Sequence, residues 1–470
     1  MNRRIFLRNA VAAAAVSSTA PHLLLSQSSA PTSAEPIRAT LNLDEATTLA
    51  TIPPDFIGLS YESAQLANPA FFSATNTALI ALFRDLSADG VLRLGGGTSE
   101  FTAFTTQEPS GPPPFDAVGP DTSKNIKDDT PITPASLRNL RAFLDAANWR
   151  CVYGLNLGRG PVTRAAEEAF HVGKILGPRL IAFQLGNEPD AWRNRYRPAT
   201  WTYADYWKEW FAAHAAVVAR VPNAKFAGPD VSNKMVYVTG FAENVKKSAP
   251  DVVLLTSHYY AMGPAGATGI TLDKLLSPDP KLEHDLNIAM AAAHSAGIPY
   301  RMSEGNSCWN GGQPGVSDTL ASALWVAGMM LDFASLGCAG VNLHGGGNGY
   351  YTPIAGSLAA GFVRRPEYFG IELVKQLVGA TLLKSTLDCC NDNIRAYTAR
   401  RSGTRLIAVL NKTAQSAAIQ LPLRRARRQW LLTGPALDAK QDVALTESRA
   451  SSLHDAVLRV APYSAVLIED

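Results

Sequence analysis

The sequence predicts an α/β chain: a (β/α)8 barrel with a C-terminal β-sandwich domain that N-terminal strands complete. Three observations carry this reading. Between residues 53 and 378 short apolar runs alternate with helical patterns, the order of a parallel barrel. From residue 379 onward short strands follow one another with turn residues between them and no helices, a sandwich pattern. Several apolar runs end in carboxylates or other polar groups, as barrel strands do where they open onto a site.

The chain begins with a separate signal. Arg3, Arg4 and Arg8 precede the apolar run Ala10 to Ala15, and small residues follow at 28–30 and 32–34. Basic, apolar, then cleavable is the order of a secretory signal, and the stretch resembles a twin-arginine export signal. Residues 1–30 are therefore read as a signal peptide, and the protein as exported, periplasmic or secreted. An amphipathic first helix is the alternative. Without residues 1–30, 40 basic residues face 40 acidic ones, so net charge gives no reason to expect nucleic acid as a partner. The basic run Arg424-Arg425-Ala426-Arg427-Arg428 reads as a solvated turn between two strands, with a patch for an acidic polysaccharide as the rival. No later apolar run reaches the length of a membrane span. A monomer is expected.

Residues 36–52 carry alternating strands, Ala39 to Leu43 and Thr48 to Ile52, that precede the barrel signal and are assigned to the sandwich. The barrel spans 53–378. Its strands are read at 56–62, 90–94, 151–157, 180–186, 225–228, 252–256, 300–306 and 339–343. Helices are read at 77–86, 134–148, 163–176, 203–220, 282–295, 319–336 and 368–378. Residues 102–132, rich in Pro, Thr, Asp and Gly, read as a long irregular loop that shapes a cleft. Short strands at 382–387, 394–398, 406–410, 418–421, 430–432 and 465–468 fill the sandwich, 379–470.

Strands four and seven end in acids, as strand one does at Glu62. Ile181 to Pro189 (IAFQLGNEP) places Glu188 at the exit of strand four, and Tyr300 to Asn306 (YRMSEGN) places Glu304 at the exit of strand seven. Two glutamates converging at that rim suit acid-assisted cleavage of a glycosidic bond, where one carboxyl gives up a proton and the other acts ionised. Either alone could be an ordinary turn residue; the pair, on strands four and seven, is the stronger observation. Gly95-Gly96-Gly97 lacks the surroundings of a phosphate loop and reads as a close backbone approach. The five cysteines form no metal-ligand pattern and read as mostly free, buried thiols, with a Cys389–Cys390 bridge as a lesser alternative. No metal and no cofactor are expected.

GNEP at 186–189, SHYY at 257–260, SEGNS at 303–307, GGQPGVSDTLASALW at 311–325 and GVNLHGGG at 340–347 together resemble glycoside hydrolase family 79, which contains β-glucuronidases and heparanase. The resemblance runs from about residue 55 to the C-terminus. It implies a retaining exo-β-glucuronidase acting on glucuronide-containing carbohydrate, with Glu188 as acid/base and Glu304 as nucleophile. It further implies Asn187 as partner of the sugar 2-hydroxyl, Tyr260 as holder of the nucleophile, and Tyr351 as a donor to the uronate. Where the family has a second tyrosine, five residues past the nucleophile, this chain has Trp309. Glu62, at the exit of strand one, is a candidate for the 3- or 4-hydroxyl, and His344 for the same subsite or for an ordinary rim histidine. No isolated Arg or Lys stands out at the strand exits to pair with a uronate. Endo-acting heparanase-like hydrolysis, a β-glucosidase-type activity, or non-catalytic carbohydrate binding are the alternatives.

Overall fold

The computed structural model describes residues 35–423, 425–450 and 453–470; the predicted export signal lies outside the described residues, as does Arg424. Eight parallel strands close into a barrel in chain order: Ile57–Glu62, Val91–Gly95, Arg150–Leu155, Leu180–Leu185, Phe226–Val231, Val252–Pro264, Tyr300–Trp309 and Gly340–His344. They are called strands one to eight below. Three are buried along their whole length and the others along most of it, as strands covered by helices on one side and filled by side chains on the other must be.

The helices around the barrel start and stop where local chemistry directs. Pro134–Ala147 begins at Thr133, whose side chain accepts from the Ser136 amide, and ends at Asn148 in the left-handed conformation. Tyr203–Arg220 begins with a reciprocal capping box between Thr202 and Asp205. Pro280–Ala296 closes on Gly297 at φ 69°. The helix between strands five and six, Met235–Ser248, escapes the sequence reading: it has no side-chain cap to mark its start and carries an internal glycine, although Tyr237, Val238, Phe241, Ala242 and Val245 fall at helical spacing. Gly240 is needed there: a Cβ would lie 2.5 Å from the Tyr203 ring.

Strands read as a sandwich form one continuous nine-stranded sheet that curls around its own core. Its strand Thr404–Asn411 is buried on both faces: Leu406, Ala408 and Leu410 join the barrel-side core, while Ile407 and Val409 face the sheet's own. Between barrel and sheet lies helix Leu320–Ser335, apolar on most of its circumference because most of it is covered. Tyr397 of the sheet donates to Asp332 at 2.8 Å and to the Gly328 carbonyl at 3.3 Å.

The N-terminal pair is a single strand, Ile37–Thr51, paired antiparallel with Thr381–Asp388 and parallel with Ala417–Gln420. Its register shifts between Asp44 and Thr48 because the Asp44 carboxylate accepts from the amides of Ala46 and Thr47 and offsets the ladder. Two sheet strands escape the sequence reading, Ala444–Arg449 and Val457–Val460; the first is an exposed edge with no apolar alternation. The 102–132 segment contains a short parallel pair, Thr102–Phe104 with Thr130–Ile132, and a turn of helix at Pro120–Ser123. All five cysteines are free, with Cys151, Cys308 and Cys338 buried. Among the described residues no helix is long and apolar enough to cross a membrane.

Candidate active site

At the carboxyl end of the barrel a cavity of about 860 Å³ is lined by Glu62, Glu188, Tyr260, Glu304, Trp309, His344 and Tyr351. Asn187 is 7 % exposed beside it. All eight residues singled out in the sequence therefore converge on one place.

Glu304 is buried, and its two oxygens are differently engaged. Oε2 accepts from Arg93 Nη1 at 2.6 Å and lies 3.8 Å from His344 Nδ1; Oε1 accepts from the Tyr260 hydroxyl at 2.9 Å. Burial works to raise its proton affinity, but the charges of His344, His258 and Arg93 outweigh burial and bring it down to about 2. The surrounding charges thus favour the ionised form of Glu304. Burial first, then the Glu304 charge, keep Tyr260 far above the usual phenol range, so it remains a donor.

Glu188 has a different setting. Its backbone is left-handed at φ 50°, its amide donates to the Asp230 carbonyl at 2.9 Å, and its side chain is 27 % exposed to the cavity. His258 Nδ1 approaches its Oε1 at 3.1 Å. One carboxylate oxygen of Glu188 and one of Glu304 lie within 4.8 Å of each other.

Beneath the two acids lies a buried polar layer that the sequence reading missed. Arg93, inside strand two and 1 % exposed, reaches Glu304, Asp230, the Asn187 amide oxygen (2.8 Å), Gln184 (3.0 Å) and Ser60 (3.2 Å). Five donor–acceptor contacts satisfy a guanidinium that burial would otherwise penalise. Asp230, on strand five, also accepts from Gln184 and Ser303. Burial opposes its charge, but Arg93 and His258 hold its carboxyl far below the usual range. His258 lies between acids, with Nε2 3.1 Å from Asp230 in an ion-pair contact that does not meet hydrogen-bond geometry. Burial disfavours its charge, yet Asp230 and Glu304 prevail and raise it to about 10, so it is an imidazolium at neutral pH. The signals were visible: a charged residue within the apolar run VLRL, and a histidine beside the tyrosines of SHYY.

The three adjacent glycines fit the close approach their sequence suggested. A Cβ on Gly95 would lie 2.1 Å from the Arg93 guanidinium carbon, and one on Gly96 (φ 71°) 2.4 Å from a Glu62 oxygen. Glu62 accepts from the Thr98 amide at 2.9 Å and hydroxyl at 2.6 Å, and its other oxygen is 3.7 Å from His344 Nε2. Burial disfavours a charge on His344, while Glu304 and Glu62 favour it and raise its proton affinity. Tyr351 is buried against His344 and Tyr260, and Trp309 stands 45 % exposed at the rim. Although no cation stands out at a strand exit, Lys124 and Arg195 reach the cavity from neighbouring loops.

Glu188, His258 and Glu304 are close enough to hold a cation.

No protein-family model matches the chain. It is 27 % identical over 392 residues to a β-glucuronidase of Aspergillus niger, covering 76 % of this chain and 69 % of that one. It is 23 % identical over 452 residues to the heparanase of Gallus gallus, covering 82 % of each. In fold it matches a 4-O-α-L-rhamnosyl-β-D-glucuronidase from Fusarium oxysporum with a TM-score of 0.70 at 16 % identity, covering 92 % of this chain and 100 % of that one.

Proposed function

We propose that this chain, which belongs with the β-glucuronidase and heparanase-like glycoside hydrolases, is a retaining exo-β-glucuronidase. The observation that carries the reading is the approach of Glu188 and Glu304, within 4.8 Å across one cavity. Inversion needs a gap wide enough for a water between sugar and base, whereas direct attack needs carboxyls about 5 to 5.5 Å apart.

In this mechanism Glu304 Oε2 or Oε1 attacks the anomeric carbon while Glu188 protonates the departing oxygen. Glu188 gives its proton to the departing oxygen in the first step and, as a carboxylate beside His258 Nδ1 at 3.1 Å, takes one from the attacking water in the second. The same acid therefore serves both steps. Arg93 takes the amide oxygen of Asn187, which leaves the Asn187 NH2 for the sugar 2-hydroxyl. Glu62 and His344 suit the 3- and 4-hydroxyls, and Tyr351 with Trp309 the uronate.

Exo action is supported by how the 102–132 segment ends at the cavity. Residues 118–120 pack closely on the loops after strands seven and eight: Cβ atoms on Gly346, Gly347 and Gly311 would lie 2.7 Å from the Val118 carbonyl, 2.9 Å from Gly119 Cα and 2.4 Å from the Pro120 ring. Such a wall would stop a polymer passing beyond the sugar at Glu304. Lys124 and Arg195 in the same cavity favour an anionic substrate over a neutral one. Trp309, with one N–H in place of a phenol, is the observation that favours a β-glucosidase-type rival. The enzyme is further proposed to work as an exported monomer.

The test is turnover of 4-nitrophenyl β-D-glucuronide against the matching β-D-glucoside. A higher kcat/KM for the glucuronide supports the reading; a dominant glucosidase rate would reject the substrate assignment.

A further inference from the structure

We infer that Glu100 is a positioning residue for the acid/base: its buried carboxylate fastens the turn that carries Asn187 and Glu188 to the exit of strand three. The inference rests on the reading of Glu188 as acid/base.

Glu100 is 1 % exposed and touches neither the cavity nor a strand interior. Oε1 accepts from the Asn187 amide at 2.6 Å; Oε2 accepts from the amides of Leu157 at 3.1 Å and Gly158 at 2.5 Å. The carbonyls of that same dipeptide are taken by Arg197, at 2.7 Å for Gly158 and 3.3 Å for Leu157. One peptide pair is thus clamped by an anion on its N–H side and a cation on its C=O side. Space is reserved for the clamp: a Cβ on Gly158 would lie 2.8 Å from Glu100 Oε2, and one on Gly186 3.4 Å from Oε1.

The turn above needs such a hold. Glu188 sits at φ 50°, a conformation that a non-glycine residue keeps only where its surroundings enforce it. Its neighbours are fixed at every backbone group shown: the Asn187 carbonyl by Trp192 Nε1 (2.8 Å), the Pro189 carbonyl by Trp201 Nε1 (2.8 Å) and the Glu188 amide by the Asp230 carbonyl. Among the described residues only Glu100 holds the Asn187 amide. All three donors point at carboxylate oxygens, so the ionised form fits the site; burial opposes it, and the three amides with Arg197 counter burial only partly, leaving Glu100 at about 7.

If Glu100 acts through Glu188, its loss must be felt most where protonation of the leaving group matters most. The experiment measures kcat/KM of Glu100→Gln and Glu100→Asp on phenyl and 2,4-dinitrophenyl β-D-glucuronide, beside Glu188→Ala. Glutamine turns an N–H toward an amide donor, and aspartate withdraws the oxygens by one methylene. We expect Glu100→Gln to lose at least about tenfold more on the phenyl substrate, as a misplaced acid does, than on the dinitrophenyl one, whose leaving group needs no proton; any shift of Asn187 lowers both alike. Equal losses on both substrates would overturn the proposal, and so would unchanged rates. If Glu188→Ala itself shows no dependence on the leaving group, the acid/base assignment fails instead. Should the glutamine variant not fold, the aspartate variant carries the same comparison.

Discussion

Arg93 and Glu304 form a buried ion pair, Nη1 to Oε2 at 2.6 Å, with neither side chain more than 8 % exposed. The arginine simultaneously pairs with Asp230 and holds Asn187, so one cation fixes the proposed nucleophile, its neighbour and the amide proposed to meet the sugar. Replacing it with methionine would strand two buried carboxylates. Arg93→Met should lose about 3 to 5 kcal/mol of stability, measured by urea denaturation. Any folded fraction should show its acidic limb of kcat/KM moved to higher pH, because Glu304 loses one of the charges that hold its proton affinity down.

The two glutamates should fail differently. Glu304→Ala should abolish turnover of every glucuronide, with external azide restoring a product of inverted anomeric configuration. Glu188→Ala should lose on the order of 10²- to 10⁴-fold on a phenyl glucuronide and far less on an activated one, with azide giving a product of retained configuration. Chromatography and NMR of the azide adducts distinguish the two.

His258 gains its proton affinity only in the folded state, rising from 6.5 to about 10. A group raised on folding contributes stability that is complete below its unfolded value and lost as pH rises through the folded one. Stability should therefore decline between about pH 6.5 and 10, and His258→Gln should flatten that decline. Thermal denaturation across the range measures it.

Trp309 marks the point where this chain departs from the tyrosine of the family it resembles. Trp309→Tyr should raise the ratio of glucuronide to glucoside turnover by roughly tenfold, the value of one added hydrogen bond to a charged group. Paired kcat/KM values for the two aryl glycosides measure it.

The barrel was legible because each strand is a short buried run bounded by turn residues and each acid sits at a run's end, as at Leu185 before Asn187-Glu188. What sequence reading missed lies where side chains meet across strands. Arg93, Asp230 and His258 come from strands two, five and six, and nothing along the chain reports that one charge neutralises another. Met235–Ser248 was hidden because it lacks a cap, and Ala444–Arg449 because an edge strand facing water needs no apolar alternation.

In the proposed mechanism Glu188 and Glu304 flank one bond at a separation suited to direct covalent attack. Proton NMR of the first product formed from 4-nitrophenyl β-D-glucuronide, recorded before mutarotation, separates retention from inversion. β-Glucuronic acid is expected as the initial anomer; the α-anomer appearing first would rule out attack by Glu304.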